Sequence, residues 1–243
     1  MLIQGVLAHC SGGASTSAWY TMLVEIIAHR GASRERTENT LDAFLRAVEL
    51  GAHAIELDVH ATLDGHVVVH HDPVFGAAAT PVARVTLADI EAFNADGAVR
   101  IPTLREVLEQ VDSRIHLYVE VKGKGISHLV ADLLAPHAGR CSIHSFDHRV
   151  SLQVRQRWPD LATGILSSSY VMDPVASLRA AGARDYWQHR ELVDADLVRA
   201  VHRADGRLIC WTENDPHEMR ALVDMGVDGI CTDVPDVALS ALG

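Results

Sequence analysis

The chain has 243 residues, 48% hydrophobic and 22% charged, which is enough apolar material for one large domain or two small ones. Its formal net charge of −11 argues against binding nucleic acid or inserting stably in a membrane, and leaves room for a local basic site that takes phosphate. No apolar run is long enough to span a bilayer, and the four cysteines (Cys10, Cys141, Cys210, Cys231) form no CxxC pair and read as buried reduced thiols.

Residues 1–24 stand apart from the rest. The stretch "HCSGGASTSAW" is small, polar and aperiodic; its glycines follow no strand and precede no P-loop lysine, so it is no phosphate loop. The apolar start "MLIQGVLAHC" is short and lacks a basic flank, so a cytoplasmic location is expected ahead of secretion. The expectation is a disordered or loosely packed N-terminal extension over 1–24, with Met22 as a natural alternative start, and one domain over 25–243.

From Glu25 onward apolar strands alternate with amphipathic helices. Strands are expected at "EIIAH", "HAIELDV", "IHLYVEV", "CSIHSF", "LATGIL", "RDYWQH", "RLICW" and "VDGICTD". Helices are expected at "NTLDAFLRAVEL", "TLREVLEQV", "HRVSLQVRQRW", "DADLVRAVHRA" and "DPHEMRALVDM". Eight β–α units in about 220 residues suit a (β/α)8 barrel better than an open sheet. Residues 73–101 read as a small insertion before the third barrel strand.

One connection breaks the rhythm. "IELDVHATLDGHVVVHHD" holds two strand-like runs too close together for a parallel crossover, so they form an antiparallel hairpin extending the second strand. A two-residue Asp64-Gly65 turn would put Val59 near His70 and Asp58 opposite His71.

Strand alternation then selects the groups that meet. Ile55, Leu57 and Val59 share one face and Glu56 and Asp58 the other; Tyr118, Glu120 and Lys122 likewise oppose Leu117, Val119 and Val121. Helices cover the aliphatic face, which turns the carboxylates inward at the carboxyl-end rim beside His29, Arg30, Lys122 and His71. Gathered carboxylates repel unless neutralised, and oxygen donors favour one divalent cation, Mg²⁺ or Ca²⁺. A cation beside Arg30 and Lys122 forms a trap for the phosphate group of a small molecule, and two histidines flanking it suit general acid and base roles. Trp211, at a strand end, reads as a pocket wall against substrate, with core packing as the plainer reading. Glu38-Asn39-Thr40 suits a helix cap, and the histidines outside these motifs, His144 included, are expected to be exposed or structurally bonded.

These stretches resemble the glycerophosphodiester phosphodiesterase family. The resemblance rests on His29-Arg30-Gly31, Glu38-Asn39-Thr40, Gly51 through Asp72, Glu120-Val121-Lys122, Ser145-Phe146, Trp211-Thr212-Glu213-Asn214 and Gly226 through Pro235, in consistent order. It implies a TIM barrel with a divalent metal on Glu56, Asp58 and Glu120. It also implies catalysis by His29 and His71, with Arg30 and Lys122 on the phosphate, releasing sn-glycerol 3-phosphate and an alcohol. Thr37 stands where the family commonly has proline, a departure that bears on substrate rather than chemistry. A lysophospholipase D or sphingomyelinase D-like enzyme on the same barrel would want an exposed apolar rim, for which "PVFGAAATPV" is the candidate. A non-catalytic barrel binding phosphorylated metabolites would have lost an acid, base or ligand position, and none is lost.

Overall fold

The expected strands that carry the carboxylates, "HAIELDV" and "IHLYVEV", each offer one aliphatic face and one face with polar or aromatic side chains, and this two-sidedness decides how the wall is packed there. A computed structural model describes residues 24–97 and 99–243. Its strands are β1 (Glu25–His29), β2 (Ala54–Ala61), β3 (Val67–Val69), β4 (Val74–Phe75), β5 (Thr80–Pro81), β6 (His116–Val121), β7 (Cys141–Ser145), β8 (Ala162–Ser167), β9 (Asp185–His189), β10 (Arg207–Trp211) and β11 (Gly229–Thr232). Its α-helices are α1 (Leu41–Leu50), α2 (Leu87–Asp96), α3 (Leu104–Gln110), α4 (Ser127–Leu134), α5 (His148–Arg157), α6 (Pro174–Ala181), α7 (Ala195–His202), α8 (Pro216–Met225) and α9 (Pro235–Leu242).

Among the described residues, β1, β2 and β6 to β11 pair in parallel, and β1 pairs with both β2 and β11. That closes an eight-stranded barrel with helices between its strands, the TIM-barrel architecture. Every expected strand is present, its ends within two residues of expectation. Periodicity did not single out α2, which lies in the insertion, nor α4, α6 and α9, which have eight residues each.

The aliphatic faces pack outward against the helices. Ile55, Leu57, Val59, Leu117, Val119 and Ile143 join helix side chains such as Phe44, Val107 and Val130 in one shell. Leu208, Cys210 and Ile230 do the same with Leu197, Val201 and Met219 on the other side. Burying each large aliphatic side chain stabilises the fold by roughly 1.5–3 kcal/mol relative to leaving it in water. The inner faces make a smaller cluster of Ile27, Ala54, Tyr118, Leu166, Trp187, Ile209 and Cys231. Trp187, Tyr118 and the carboxylates therefore point into the barrel, as alternation demands.

The hairpin exists, but its register is one residue from the expected one. Val59 pairs with Val69, not with His70, and the His70 amide donates to the Asp58 carbonyl at 3.0 Å. The cause is the turn. Thr62 pairs with His66, and the loop between them is the three residues Leu63-Asp64-Gly65, with Gly65 at φ +83°. A third loop residue with a glycine in the left-handed region replaces the two-residue turn. Asp58 thus lies opposite His70, and His71 falls in the loop beyond β3.

Residues 73–101 fold onto this hairpin. β4 and β5 pair, α2 follows, and Phe75, Val82, Ile90 and Ile101 bury against Val68. Phe75 and Phe93 meet edge to face at 5.0 Å. Within "PVFGAAATPV", Phe75 and Val82 join this small core, while Gly76 through Ala79 between them are exposed. The expected extension over residues 1–24 lies outside the described residues except for Val24, which is buried in the outer shell. Among the described residues no helix is long and apolar enough to cross a membrane.

Candidate active site

The site is assembled at the carboxyl ends of the strands. β1 ends in His29 and turns sharply through Arg30 and Gly31, both with positive φ (57° and 85°). A Cβ at Gly31 would lie 2.7–2.8 Å from Ala43 on α1, so only glycine lets the turn pass under the helix. The turn aims the Arg30 amide at Glu56 Oε2 (3.2 Å) and its guanidinium at Asp58, with Nε 3.1 Å from Oδ2.

Glu38-Asn39-Thr40 performs three separate tasks. Glu38 accepts from Arg30 Nη1 at 2.8 Å. Asn39 Nδ2 donates to Asp58 Oδ2 at 2.9 Å, while the Asp58 amide donates to Asn39 Oδ1 at 3.2 Å. Thr40 alone caps α1, accepting from the Ala43 amide. The helix-cap reading is right for Thr40 and misses the other two, because their partner lies across the barrel rim.

Register brings the acids together. His29 pairs with Glu56, Asp58 with Glu120, and Glu120 with His144. Glu56, Glu120 and His144 are buried, and their ligand atoms lie within 4.8 Å of one another, so this group can hold a metal ion. Asp58 is also buried, but it is engaged elsewhere, by Arg30, Asn39 and Lys122 (Nζ to Oδ1, 3.4 Å). Lys122 Nζ also donates to Glu120 Oε1 at 3.0 Å.

Electrostatics fit a missing positive charge at this group. Burial, and then the charge of Asp58, raise the proton affinity of both Glu56 and Glu120. Asp58 moves the other way: burial would raise it, but Lys122, Arg30 and the Asn39 hydrogen bond hold it below the usual carboxylate range. Burial pushes His144 down to about 4, so its imidazole is neutral at pH 7. Neither ring nitrogen of His144 has a hydrogen-bond partner among the described residues. The ring is held by stacking on Trp187 instead, centroids 4.4 Å apart and planes at 15°. Two buried carboxylates whose charged forms are disfavoured, and a neutral imidazole with no hydrogen-bond partner among the described residues, form a donor set that a divalent cation would satisfy. Sequence reasoning left His144 among the structural histidines. Its alternation with Ile143 and its register with Glu120 were the available signals.

The two candidate acid–base histidines each sit on a carboxylate. His29 Nδ1 lies 2.6 Å from Asp233 Oδ1, and its Nε2 is 4.0 Å from Glu56 Oε2. Burial lowers the His29 pKa, but the Asp233 hydrogen bond and the charge of Glu56 outweigh it and leave it raised. Asp233 is fixed in turn by Asn214 Nδ2 (2.8 Å) and Ser33 Oγ (3.3 Å). Against burial, the bonds from His29 and Asn214 bring Asp233 to about 2. Asn214 and Asp233 belong to the Trp211–Asn214 and Gly226–Pro235 stretches, in which the sequence reading assigns a role to Trp211 alone. His71 Nδ1 lies 2.8 Å from Asp72 Oδ1, and its carbonyl meets His60 Nε2 at 3.1 Å.

His29, Arg30, Glu56, His71, Glu120, Lys122, His144 and Trp211 all border one pocket of about 110 Å³. His71 reaches it although the hairpin register is shifted, because it acts from a loop and not from a paired position. Trp211 forms part of the wall with Phe146, their rings edge to face at 5.4 Å. Asp58 lies beneath the rim, bonded to the cations that face the pocket.

Comparison with known proteins places these residues in context. The model of the glycerophosphoryl diester phosphodiesterase family matches residues 29–237. The glycerophosphodiester phosphodiesterase of Caldanaerobacter subterraneus subsp. tengcongensis is 32% identical over 88% of this chain and 96% of its own. Among solved structures, a putative glycerophosphoryl diester phosphodiesterase of Silicibacter pomeroyi superposes with a TM-score of 0.83 at 25% identity, covering 90% of this chain and 93% of that one. An Oleispira antarctica phosphodiesterase, solved with the product sn-glycerol-3-phosphate, has the same fold with a TM-score of 0.80 at 23% identity, covering 91% and 98%.

Proposed function

The chain belongs to the glycerophosphoryl diester phosphodiesterase family, and from that premise we propose that it hydrolyses glycerophosphodiesters to sn-glycerol 3-phosphate and an alcohol, using one divalent cation, Mg²⁺ or Ca²⁺. The observation that carries the proposal is one small pocket bordered by a metal-competent acid group, two histidines on carboxylates, and Arg30 with Lys122.

Glu56 and Glu120 would hold the cation, with Asp58 and His144 as the neighbouring donors. When bound, the cation would neutralise charge on the phosphoryl oxygens as a Lewis acid. Arg30 and Lys122 are now occupied by Asp58 and Glu120. A substrate phosphate would compete for both side chains, releasing Asp58 to serve as an oxygen donor. Oxygen donors in the majority favour Mg²⁺ or Ca²⁺ over softer metals.

His29 is assigned as general base. Asp233 engages its Nδ1, so Nε2 is the nitrogen left to take a proton from the nucleophile, and Asp233 stabilises the imidazolium that forms. His71 is assigned as general acid, donating to the leaving alkoxide. Trp211 would pack against the substrate from the far wall.

A second reading, hydrolysis of single-chain lysolipids, draws support from a different place than the sequence suggested. Phe146, Tyr170 and Met172 follow β7 and β8 and are 44%, 42% and 92% exposed. The deciding experiment is turnover of glycerophosphocholine, glycerophosphoethanolamine and lysophosphatidylcholine with metal present, with products identified. Glycerol 3-phosphate from the first two supports the proposal. Turnover of lysophosphatidylcholine alone would replace it with the lysolipid reading.

A further inference from the structure

The catalytic pocket opens into a larger groove of about 550 Å³, with which it shares Glu120, Lys122 and Phe146. At about 110 Å³ the pocket is well under the roughly 300–1,000 Å³ that encloses a whole small ligand. It suits the phosphoryl group and its nearest atoms, so the rest of a diester must project from it. The groove runs from β6 past the first turns of α4 and α5, and β2 separates β6 from β1, whose last residue is His29.

Its charge is unusual for this chain. Net charge is −11 and there are only two lysines, yet both Lys122 and Lys124 border the groove. The cations there differ in what they have left to offer. Lys122 is shared by Glu120 and Asp58. Arg149 is neutralised by a two-point pair with Asp147, at 2.8 and 2.7 Å. Lys124 is exposed and makes no ion pair among the described residues.

Resting on the phosphodiesterase reading above, we propose that this groove is the subsite for the alcohol half of the diester. Lys124 there selects alcohols that carry an anionic group, such as a phosphorylated polyol, over a quaternary ammonium. A quaternary ammonium is held by several aromatic faces. Among the described residues the groove offers one aromatic ring, Phe146, and its carboxylates Asp147 and Glu120 are already taken by Arg149 and Lys122. An anionic alcohol instead finds a cation that has no ion-pair partner among the described residues, in a groove that shares Lys122 and Phe146 with the pocket His71 borders.

The test compares kcat/KM for sn-glycero-3-phosphoinositol 4-phosphate and sn-glycero-3-phosphocholine, in Mg²⁺, for the unmodified enzyme and two variants. The unmodified enzyme should favour the anionic diester by about 3- to 5-fold, a ratio one exposed charge pair can supply. Lys124→Glu should lower that preference by about 10-fold, mainly through KM for the anionic diester, and Lys124→Arg should keep it. Added salt should erode the preference in the unmodified enzyme and not in Lys124→Glu. Equal ratios in all three proteins, or an initial preference for the choline diester, would overturn this assignment alone. Hydrolysis of neither diester would overturn the phosphodiesterase reading and the assignment with it.

Discussion

At the scale of single residues, the site depends on which nitrogen of each histidine is taken. Asp233 occupies His29 Nδ1 and Asp72 occupies His71 Nδ1, so each ring keeps Nε2 for chemistry. A general acid matters most when the leaving alkoxide is poor. His71→Ala should cut turnover of glycerophosphocholine by about 10²-fold or more, and of a p-nitrophenyl phosphodiester much less. His29→Ala should damage both, because the nucleophile must be activated in either case; equal losses on the two substrates in His71→Ala would refute the assignment. Asp233→Asn should lower kcat by about 10²-fold or more, since an amide neither fixes the productive tautomer nor stabilises the imidazolium. An unaltered kcat in Asp233→Asn would leave His29 without a positioning partner. The inward turn of Glu56, Asp58 and Glu120 was legible because parity along a strand is a strict rule. Asn39, His144 and Asp233 were not assigned, because each acts on a partner far away in sequence, at separations that alternation says nothing about.

At the scale of elements, the same parity rule shows why the hairpin was harder. Strand direction and the antiparallel return followed from the short spacing, but register depends on how many residues the turn consumes. Gly65 in the left-handed region adds one, and a one-residue slip would turn a paired side chain to the opposite face. His71 escapes that consequence because β3 stops at Val69. The amino-terminal end of the barrel wall has a different character from the catalytic rim. There Glu25, Tyr118 and Arg207 bond to one another, and Arg184 makes a two-point pair with Asp185, which is fully buried. His116 sits beside them, with Nε2 2.8 Å from Ser142 Oγ. Burial is the main reason that its pKa falls to about 4, against about 6.5 in an unfolded chain. Below pH 6.5 the unfolded state gains a proton that the folded state refuses, so this contribution is present above 6.5 and lost as pH falls to 4. The urea midpoint should therefore drop over that window, and less steeply in His116→Gln. Identical slopes in both proteins would show that His116 is not the residue responsible.

At the scale of the whole molecule, the barrel separates stability from chemistry. Aliphatic faces and helices make the outer shells, while the polar faces converge at one end around the pocket. That division is why the fold class could be read from rhythm alone, whereas the pocket's volume and its groove could not, since both depend on loop paths. The wall closes between β1 and β11 with Val24 at its edge, so a chain beginning at Met22 should melt and turn over like the full one. A markedly lower melting temperature for the shorter chain would assign residues 1–21 to the packed structure. The central claim, that Glu56 and Glu120 gather to hold a cation on which hydrolysis depends, is open to one direct measurement. Turnover of glycerophosphocholine should vanish after exhaustive chelation with EDTA and return on adding Mg²⁺ or Ca²⁺. Undiminished turnover by the fully chelated protein would contradict it.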